Sequence, residues 1–210
     1  MEITVWLAFV AATTALLLIP GPTVLLVLSY AIGHGRKVAV STALGVALGD
    51  FIAMTASLAG LGALVLASAT AFTALKWIGA AYLVYLGIKL LRSAGGAGLM
   101  VTPEAGDISQ RGIFWHACAV TALNPKSIAF FIAFVPQFIT PNAALMPQFA
   151  ILVTTFVGLA GVNALIYALL AARMRDVIGR PKVITWMTRA GGGALVAMGL
   201  ATATLRRAQG

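Results

Sequence analysis

The sequence predicts an all-α integral membrane protein with six transmembrane helices, arranged as two inverted three-helix repeats in which helices 1 and 4 are broken. Hydrophobic residues make up 61% of the 210 residues and charged residues only 9%, and the mean hydropathy is +1.01. Six apolar stretches are long enough to cross a bilayer, and prolines interrupt the first and the fourth. A soluble domain of this size carries more charge, so that class is excluded.

The predicted spans follow one another with short connections. They are 4–32, 38–66, 70–91, 112–138, 144–172 and 185–205. Each reaches the roughly 20 apolar residues that a bilayer crossing needs. We expect a single transmembrane domain over 1–210, in which repeat one (1–92) and repeat two (112–210) are separated by a Gly-rich cytoplasmic joint at 93–111.

Spans one and four are interrupted by Pro20-Gly21-Pro22 and Asn124-Pro125-Lys126. Each proline removes a backbone donor and disfavours an unbroken helix by roughly 3 kcal/mol. Unpaired backbone groups are too costly in lipid, so such breaks persist only inside protein or beside a watery cavity. One break in each half is the pattern of a transporter built from two repeats around a central site.

Basic residues in alternate connections predict the orientation. They follow span one, surround the third connection and fill the fifth: Arg36, Lys37, Lys89, Arg92, Arg111, Arg173, Arg175, Arg180 and Lys182. The positive-inside rule places these connections in the cytoplasm and both termini on the periplasmic or extracellular side, against which only Arg206 and Arg207 argue. The net charge of +9 has the same explanation, so nucleic acid is not a predicted partner.

Span two carries the one acidic residue deep in an apolar segment, Asp50. A carboxylate there costs roughly 2.5–3.5 kcal/mol on insertion scales. It could serve a structural role, as in an ion pair with Lys126, or it could bind a proton or the ammonium group of a substrate. We favour the functional role, with Asp50 as the proton-coupling residue.

A stripe of small residues runs beside Asp50 and predicts close helix packing. Its members recur every four residues: Ser41, Gly45, Gly49, Ala53 and Ser57. In span five, Gly158 and Gly161 precede Asn163 in a similar way, which supports the repeat and makes Asn163 the polar counterpart of Asp50. The same faces can pack within or between subunits, so a homo-oligomer stays open.

The broken helices predict the other half of a binding site. A helix that restarts after Pro22 or Pro125 presents free N–H groups and a positive dipole end, which suit a carboxylate. Lys126 could add a full positive charge or instead extend to the cytoplasmic interface. With an ammonium group at Asp50, the predicted substrate is a small zwitterion such as an amino acid.

Three blocks of sequence resemble the lysine/homoserine exporter superfamily, LysE/RhtB. They are PGPTVLLVLSYAIGHGRKVAVSTALGVALGD from Pro20, KWIGAAYLVYLGIKLLRS from Lys76 and NPKSIAFFIAFVPQFI from Asn124. The resemblance implies a bacterial inner-membrane exporter of amino acids or close derivatives, coupled to proton influx. The family's motif positions fall on Pro20, Gly21, Pro22, Gly45, Gly49, Asp50, Asn124, Pro125 and Lys126.

Other functions are less compatible with the sequence. A divalent-metal exporter needs several carboxylates, histidines or thiolates at membrane depth, and His116 and Cys118 lie on different helix faces. Enzyme motifs such as HExxH and GxSxG are absent from the sequence, and no cofactor is expected. A structural membrane subunit and an exporter of basic amino acids stay open. A cationic cargo would need a second deep negative group, which favours small neutral amino acids.

Overall fold

The computed structural model describes residues 1–93, 109–140, 143–178 and 181–204, which fold almost entirely into helices. Within them the α-helices are α1 (Ile3–Leu18), α2 (Pro22–His34), α3 (Ala39–Ala67), α4 (Ala69–Ser93), α5 (Gln110–Ala122), α6 (Pro125–Ala133), α7 (Leu145–Ile178) and α8 (Pro181–Thr204). The all-α class is confirmed for these residues. Most of the predicted joint at 93–111 lies outside them.

Both predicted helix breaks are present. α1 ends at Leu18, and the extended backbone at Ile19 and Gly21 leads into α2, which restarts with Pro22 in its first turn. The second break separates α5 from α6, and the two helical stretches around it are bent by 45°. Proline suits the first position of a helix, where its missing N–H costs nothing, so the residues that end one helix also begin the next.

The described helices include several that can cross a membrane. Pro22–Ala63, Thr73–Ser93 and Leu145–Ala171 are long and apolar enough, and the bent pair around α5 and α6 adds a fourth if its two helices form one span. Within Pro22–Ala63, Gly35 has a φ of 71°, a left-handed conformation that favours glycine, and it divides α2 from α3. α1 has 16 apolar-rich residues, fewer than the roughly 20 of a full span. The count of six spans stays a prediction.

The two halves of the chain interlock. The most extensive contacts join α4 to α8, α3 to α5 and α3 to α7, and each of these pairs takes one helix from either half. α1 and α2 in turn pack on α7. Glycines allow helices of the two halves to approach closely: a Cβ on Gly87 of α4 would lie 2.7 Å from the backbone oxygen of Gly192 on α8. The two breaks therefore meet inside protein.

The small-residue stripe of α3 packs against α5. A Cβ on Gly45 would clash with the Phe114 carbonyl oxygen, and one on Gly49 would lie 2.5 Å from that of Cys118. This confirms the predicted close approach and orients α3, so that Asp50, the residue after Gly49, is buried in the bundle. The glycines of α7 differ, because a Cβ on Gly158 would meet nothing within 4 Å.

Candidate functional site

A small cavity lies between the two helix breaks, enclosed by α1, α2, α3, α6 and α7. Its volume is about 20 Å³, room for one or two water molecules. Apolar side chains form most of its wall, and the polar residues that reach it are Thr23, Asp50, Asn124, Lys126, Ser127, Asn163 and Tyr167. The cavity thus brings together the four polar or charged side chains that the sequence analysis selected.

Asp50 supplies an unsatisfied acceptor to this cavity. Its side chain is only 2% exposed, and its Oδ1 atom has no hydrogen-bond partner. A buried polar atom without a partner is costly, so the oxygen is suited to receive a proton or an incoming N–H group. Asp50 is held in place by α3, whose glycine stripe fixes the helix against α5.

Thr23 connects the two breaks. Nδ2 of Asn124 donates a hydrogen bond to Oγ1 of Thr23 at 3.0 Å, and the hydroxyl of Thr121 donates to the same oxygen at 3.3 Å. Oδ1 of Asn124 accepts the backbone N–H of Lys126 at 3.1 Å and so caps α6. The Asn124 side chain therefore bonds through Nδ2 to the start of α2 and through Oδ1 to the start of α6, and so connects the two helices.

Lys126 bonds to the end of α1. Its Nζ donates to the carbonyl oxygens of Leu16 and Ile19, at 3.1 and 2.9 Å. The last carbonyls of a helix have no intrahelical partner and carry its negative dipole end, which attracts a cation. The ammonium group is therefore directed toward the first break.

Two side chains of α7 satisfy the carbonyls between these two. Nδ2 of Asn163 donates to Leu17 at 3.2 Å, and the hydroxyl of Tyr167 donates to Leu18 at 3.3 Å. Asn163 and Tyr167 are four residues apart and share one face of α7. Four consecutive carbonyls at the end of α1 thus accept side-chain donors from the second half of the chain.

In contrast to the end of α1, the start of α2 has no side-chain cap. Its N-cap residue is Gly21, which has no side chain to cap the first turn. The first N–H groups of a helix have no intrahelical acceptor, and Thr23 and Val24 of this turn line the cavity. A positive helix end and a buried carboxylate therefore face one small space, the combination that a zwitterion requires.

The chain matches a family model described as LysE type translocator over residues 4–206. It belongs to the LysE translocator family. It is 36% identical over 206 residues to the homoserine/homoserine lactone efflux protein of Salmonella typhimurium, covering 97% of this chain and 98% of that protein. It is 34% identical over 157 residues to the leucine efflux protein of Enterobacter sp. strain 638, covering 70% of each. An uncharacterized membrane protein of Vibrio cholerae is 35% identical, covering 98% of this chain and 100% of that protein.

No solved structure matches the chain. Family membership makes this LysE translocator a membrane transport protein and not an enzyme. The predicted resemblance is thereby confirmed over nearly the whole chain.

The prolines of the LysE translocator motifs do not line the cavity. Pro20 is buried beside it, whereas Pro22 and Pro125 are exposed, so their visible contribution is to end and restart helices. Gly21 lies against the side chain of Lys126, since a Cβ there would be 3.4 Å from Nζ. A direct substrate contact by these four residues stays a prediction.

Three polar residues that line the cavity of the LysE translocator were not selected from the sequence. Thr23 directly follows Pro22, Ser127 lies two residues after Pro125, and Tyr167 follows Asn163 by one helical turn. Position relative to the breaks and to Asn163 was the signal that could have identified them. Hydroxyl side chains are common in membrane helices, so residue type alone did not distinguish them.

His116 and Cys118, which the sequence analysis considered as metal ligands, do not line the cavity of the LysE translocator. The hydroxyl of Tyr30 and Nδ1 of His116 are 2.6 Å apart, and Cys118 is buried at the interface of α5 with α3. Within the described residues, no three His, Cys, Asp or Glu side chains converge as a metal site would require. The metal-exporter alternative therefore gains no support from this part of the structure.

Proposed function

We propose that the protein exports amino acids or close derivatives across the bacterial inner membrane, as a secondary transporter that exchanges them for protons. The observation that carries the proposal is the cavity in which Asp50, with an unpartnered carboxylate oxygen, faces the uncapped start of α2. The names of the relatives, homoserine/homoserine lactone efflux protein and leucine efflux protein, support the same class of cargo.

The cavity suits the two charged ends of an amino acid. The carboxylate would lie at the first turn of α2, where backbone N–H groups and the Thr23 hydroxyl are available. The ammonium group would bind Asp50. Since about 20 Å³ is too small for an amino acid, the surrounding helices must separate to admit the substrate.

Asp50 also provides a means of coupling to protons. A buried carboxylate oxygen without a hydrogen-bond partner is costly, so Asp50 is best stabilised when it holds either a proton or a cation. If the proton and the ammonium group exclude each other, an incoming proton releases the amino acid. This exchange is the simplest route from a proton gradient to export.

The cavity favours small neutral amino acids such as homoserine and threonine. Asp50 is the acidic residue in its lining, and a lysine or arginine side chain would need a second one. Most of the remaining wall is formed by small or aliphatic side chains of α2, α3 and α7, including Val27, Val46, Ala160 and Ala164. A modest uncharged side chain fits this surface.

Two of the contacts between the halves support an inverted repeat. α1 and α2 would correspond to α5 and α6, α3 to α7, and α4 to α8. The pairing of α3 with α7 and of α4 with α8 fits a two-fold relation between the repeats, because equivalent helices can pair across such an axis. The single domain, the repeats at 1–92 and 112–210, and the outward-facing termini belong to this proposal.

The decisive experiment is uptake by proton-energised inverted vesicles. Labelled homoserine, threonine, leucine and lysine are compared for wild type and Asp50→Asn at matched expression. We expect wild type to accumulate the small neutral amino acids, and the variant to fall to the level of empty vesicles because it cannot bind the proton.

Glu2→Gln is the matched control, since it removes an exposed acidic residue far from the cavity. It should transport as wild type does. Uptake by Asp50→Asn that still responds to the pH gradient would refute proton coupling through this residue. No uptake of any amino acid by folded wild type would refute the proposed function.

A further inference from the structure

The first break brings together several oxygen acceptors that suit an ammonium group, and Lys126 is the charged donor that bonds to two of them. The end of α1 presents consecutive carbonyls with the negative end of the helix dipole, and the Asp50 carboxylate lines the same cavity. The hydrogen bonds of the Lys126 ammonium group go to the carbonyls of Leu16 and Ile19, while Oδ1 of Asp50 has no partner. Lys126 thus occupies two of the acceptors that could bind an ammonium group and leaves the Asp50 oxygen without a partner.

We propose that the carbonyl end of α1 and Asp50 together form the binding site for the α-ammonium group of the substrate. Lys126 is then a tethered cation that competes with the substrate for those carbonyls. The inference rests on the proposed function, because it takes the substrate to be an amino acid. It replaces the expectation that Lys126 mainly attracts the substrate carboxylate.

The chemistry of the two groups makes such competition direct. The lysine side chain and the α-amino group of an amino acid are both ammonium groups with N–H donors and no acceptor. Carbonyls that hold one at 2.9 and 3.1 Å are suited to hold the other. Leu17 and Leu18 bond instead to uncharged donors of α7, so Lys126 is the one of these three side chains that mimics a substrate.

The geometry allows Lys126 to leave. Its side chain crosses Gly21, where a Cβ would lie 3.4 Å from Nζ and 3.5 Å from Cε, so no side chain holds it from that side. Its backbone stays fixed by the Asn124 cap at 3.1 Å. The flexible stem can therefore withdraw while the start of α6 remains in place.

The test separates the ammonium group from the carboxylate. Purified protein is titrated with 3-aminopropan-1-ol, which is homoserine without its carboxylate, and with 4-hydroxybutyrate, which lacks the amine. Binding is measured as the rise in unfolding temperature with concentration. We expect Lys126→Met to lower the half-saturating concentration of the amine by roughly tenfold or more, because a competing charged donor has been removed.

Lys89→Met is the matched control, since Lys89 is exposed on α4, and it should leave the amine titration unchanged. Lys126→Gln serves if the methionine variant does not fold: its amide can still donate to a carbonyl, but it lacks the charge, and the same direction is expected. The unfolding temperature without amine reports any purely structural effect separately.

An amine titration that is unchanged or weakened in both Lys126 variants overturns this inference, even where vesicles transport amino acids. If 4-hydroxybutyrate responds more strongly to the substitution than the amine does, Lys126 is a carboxylate ligand and the inference is also wrong. Absence of amino-acid uptake by wild type, measured in vesicles, overturns the proposed function instead.

Discussion

At the scale of single residues, Thr23 is the link between the two breaks. It accepts hydrogen bonds from Asn124 and Thr121, and Asn124 is only 3% exposed. Thr23→Val keeps the shape of the side chain but removes the acceptor, which leaves the buried Nδ2 group of Asn124 without that hydrogen bond. We expect a loss of about 1–3 kcal/mol in the free energy of unfolding, measured as a lower unfolding temperature in detergent.

Two variants control this prediction. Thr23→Ser retains the hydroxyl and should keep most of the stability. Thr14→Val removes an exposed hydroxyl that bonds only to Val10 of its own helix, and it should change little. Equal unfolding temperatures for Thr23→Val and Thr14→Val would contradict the role given to Thr23.

The residues that sequence reasoning placed in the cavity are those that are costly in lipid. A charge or an amide in an apolar span costs free energy, and it is therefore expected to have a function. This criterion selects Asp50, Asn124, Lys126 and Asn163. Their meeting point is what the proposed repeat predicts. The direction of Lys126 does not follow from the repeat, because whether it extends to α1, to Asp50 or to the membrane surface depends on packing between distant segments.

At the scale of helices, the approach of α3 to α5 positions the site. A Cβ on Gly49 would lie 2.5 Å from the Cys118 backbone oxygen and 2.8 Å from Cβ of Thr121. Gly49→Ala must therefore push the two helices apart. We expect it to cost about 1–3 kcal/mol in stability and to reduce uptake, since Asp50 follows directly.

Gly60→Ala tests the same change on the same helix where space is open, because nothing lies within 4 Å of its Cβ position. There alanine should be neutral or stabilise the helix by about 0.5–1 kcal/mol. If both variants had the same unfolding temperature, helix contact would not be what Gly49 provides.

Sequence patterns predict where a helix ends more reliably than they predict which helix it packs against. Proline forbids a continuous helix, so both breaks could be predicted from Pro20, Pro22 and Pro125 alone. A stripe of small residues shows that some helix comes close but not which one. That α5 is the partner of Gly45 and Gly49 depends on the tertiary arrangement of the halves.

At the scale of the whole molecule, the proposed transport predicts that the two halves move, because the cavity of about 20 Å³ is too small for an amino acid. Hydrogen bonds join the halves on both sides of the first break along the chain. Nε1 of Trp6 donates to Thr155 at 3.0 Å, and Tyr30 and His116 form a hydrogen bond of 2.6 Å. If the repeats rock about a central site, these two contacts must separate in turn.

Cross-linking tests this motion. Cysteines replace each pair, as Trp6→Cys with Thr155→Cys and Tyr30→Cys with His116→Cys, in a Cys118→Ala background. We expect a cleavable bifunctional thiol reagent to stop amino-acid uptake in either protein, and cleavage to restore it, because a protein fixed on one side cannot alternate.

A pair within one helix distinguishes motion from the chemistry of the reagent. Tyr82→Cys with Tyr85→Cys places both cysteines on α4, where the rings are 6.0 Å apart, and its cross-linked form should transport normally. Full uptake by the cross-linked Trp6/Thr155 protein would mean that the substrate passes without separation of α1 from α7. In that case the 20 Å³ cavity would have to enlarge by movement of side chains alone, and Lys126, whose stem lies over Gly21, would be the first candidate.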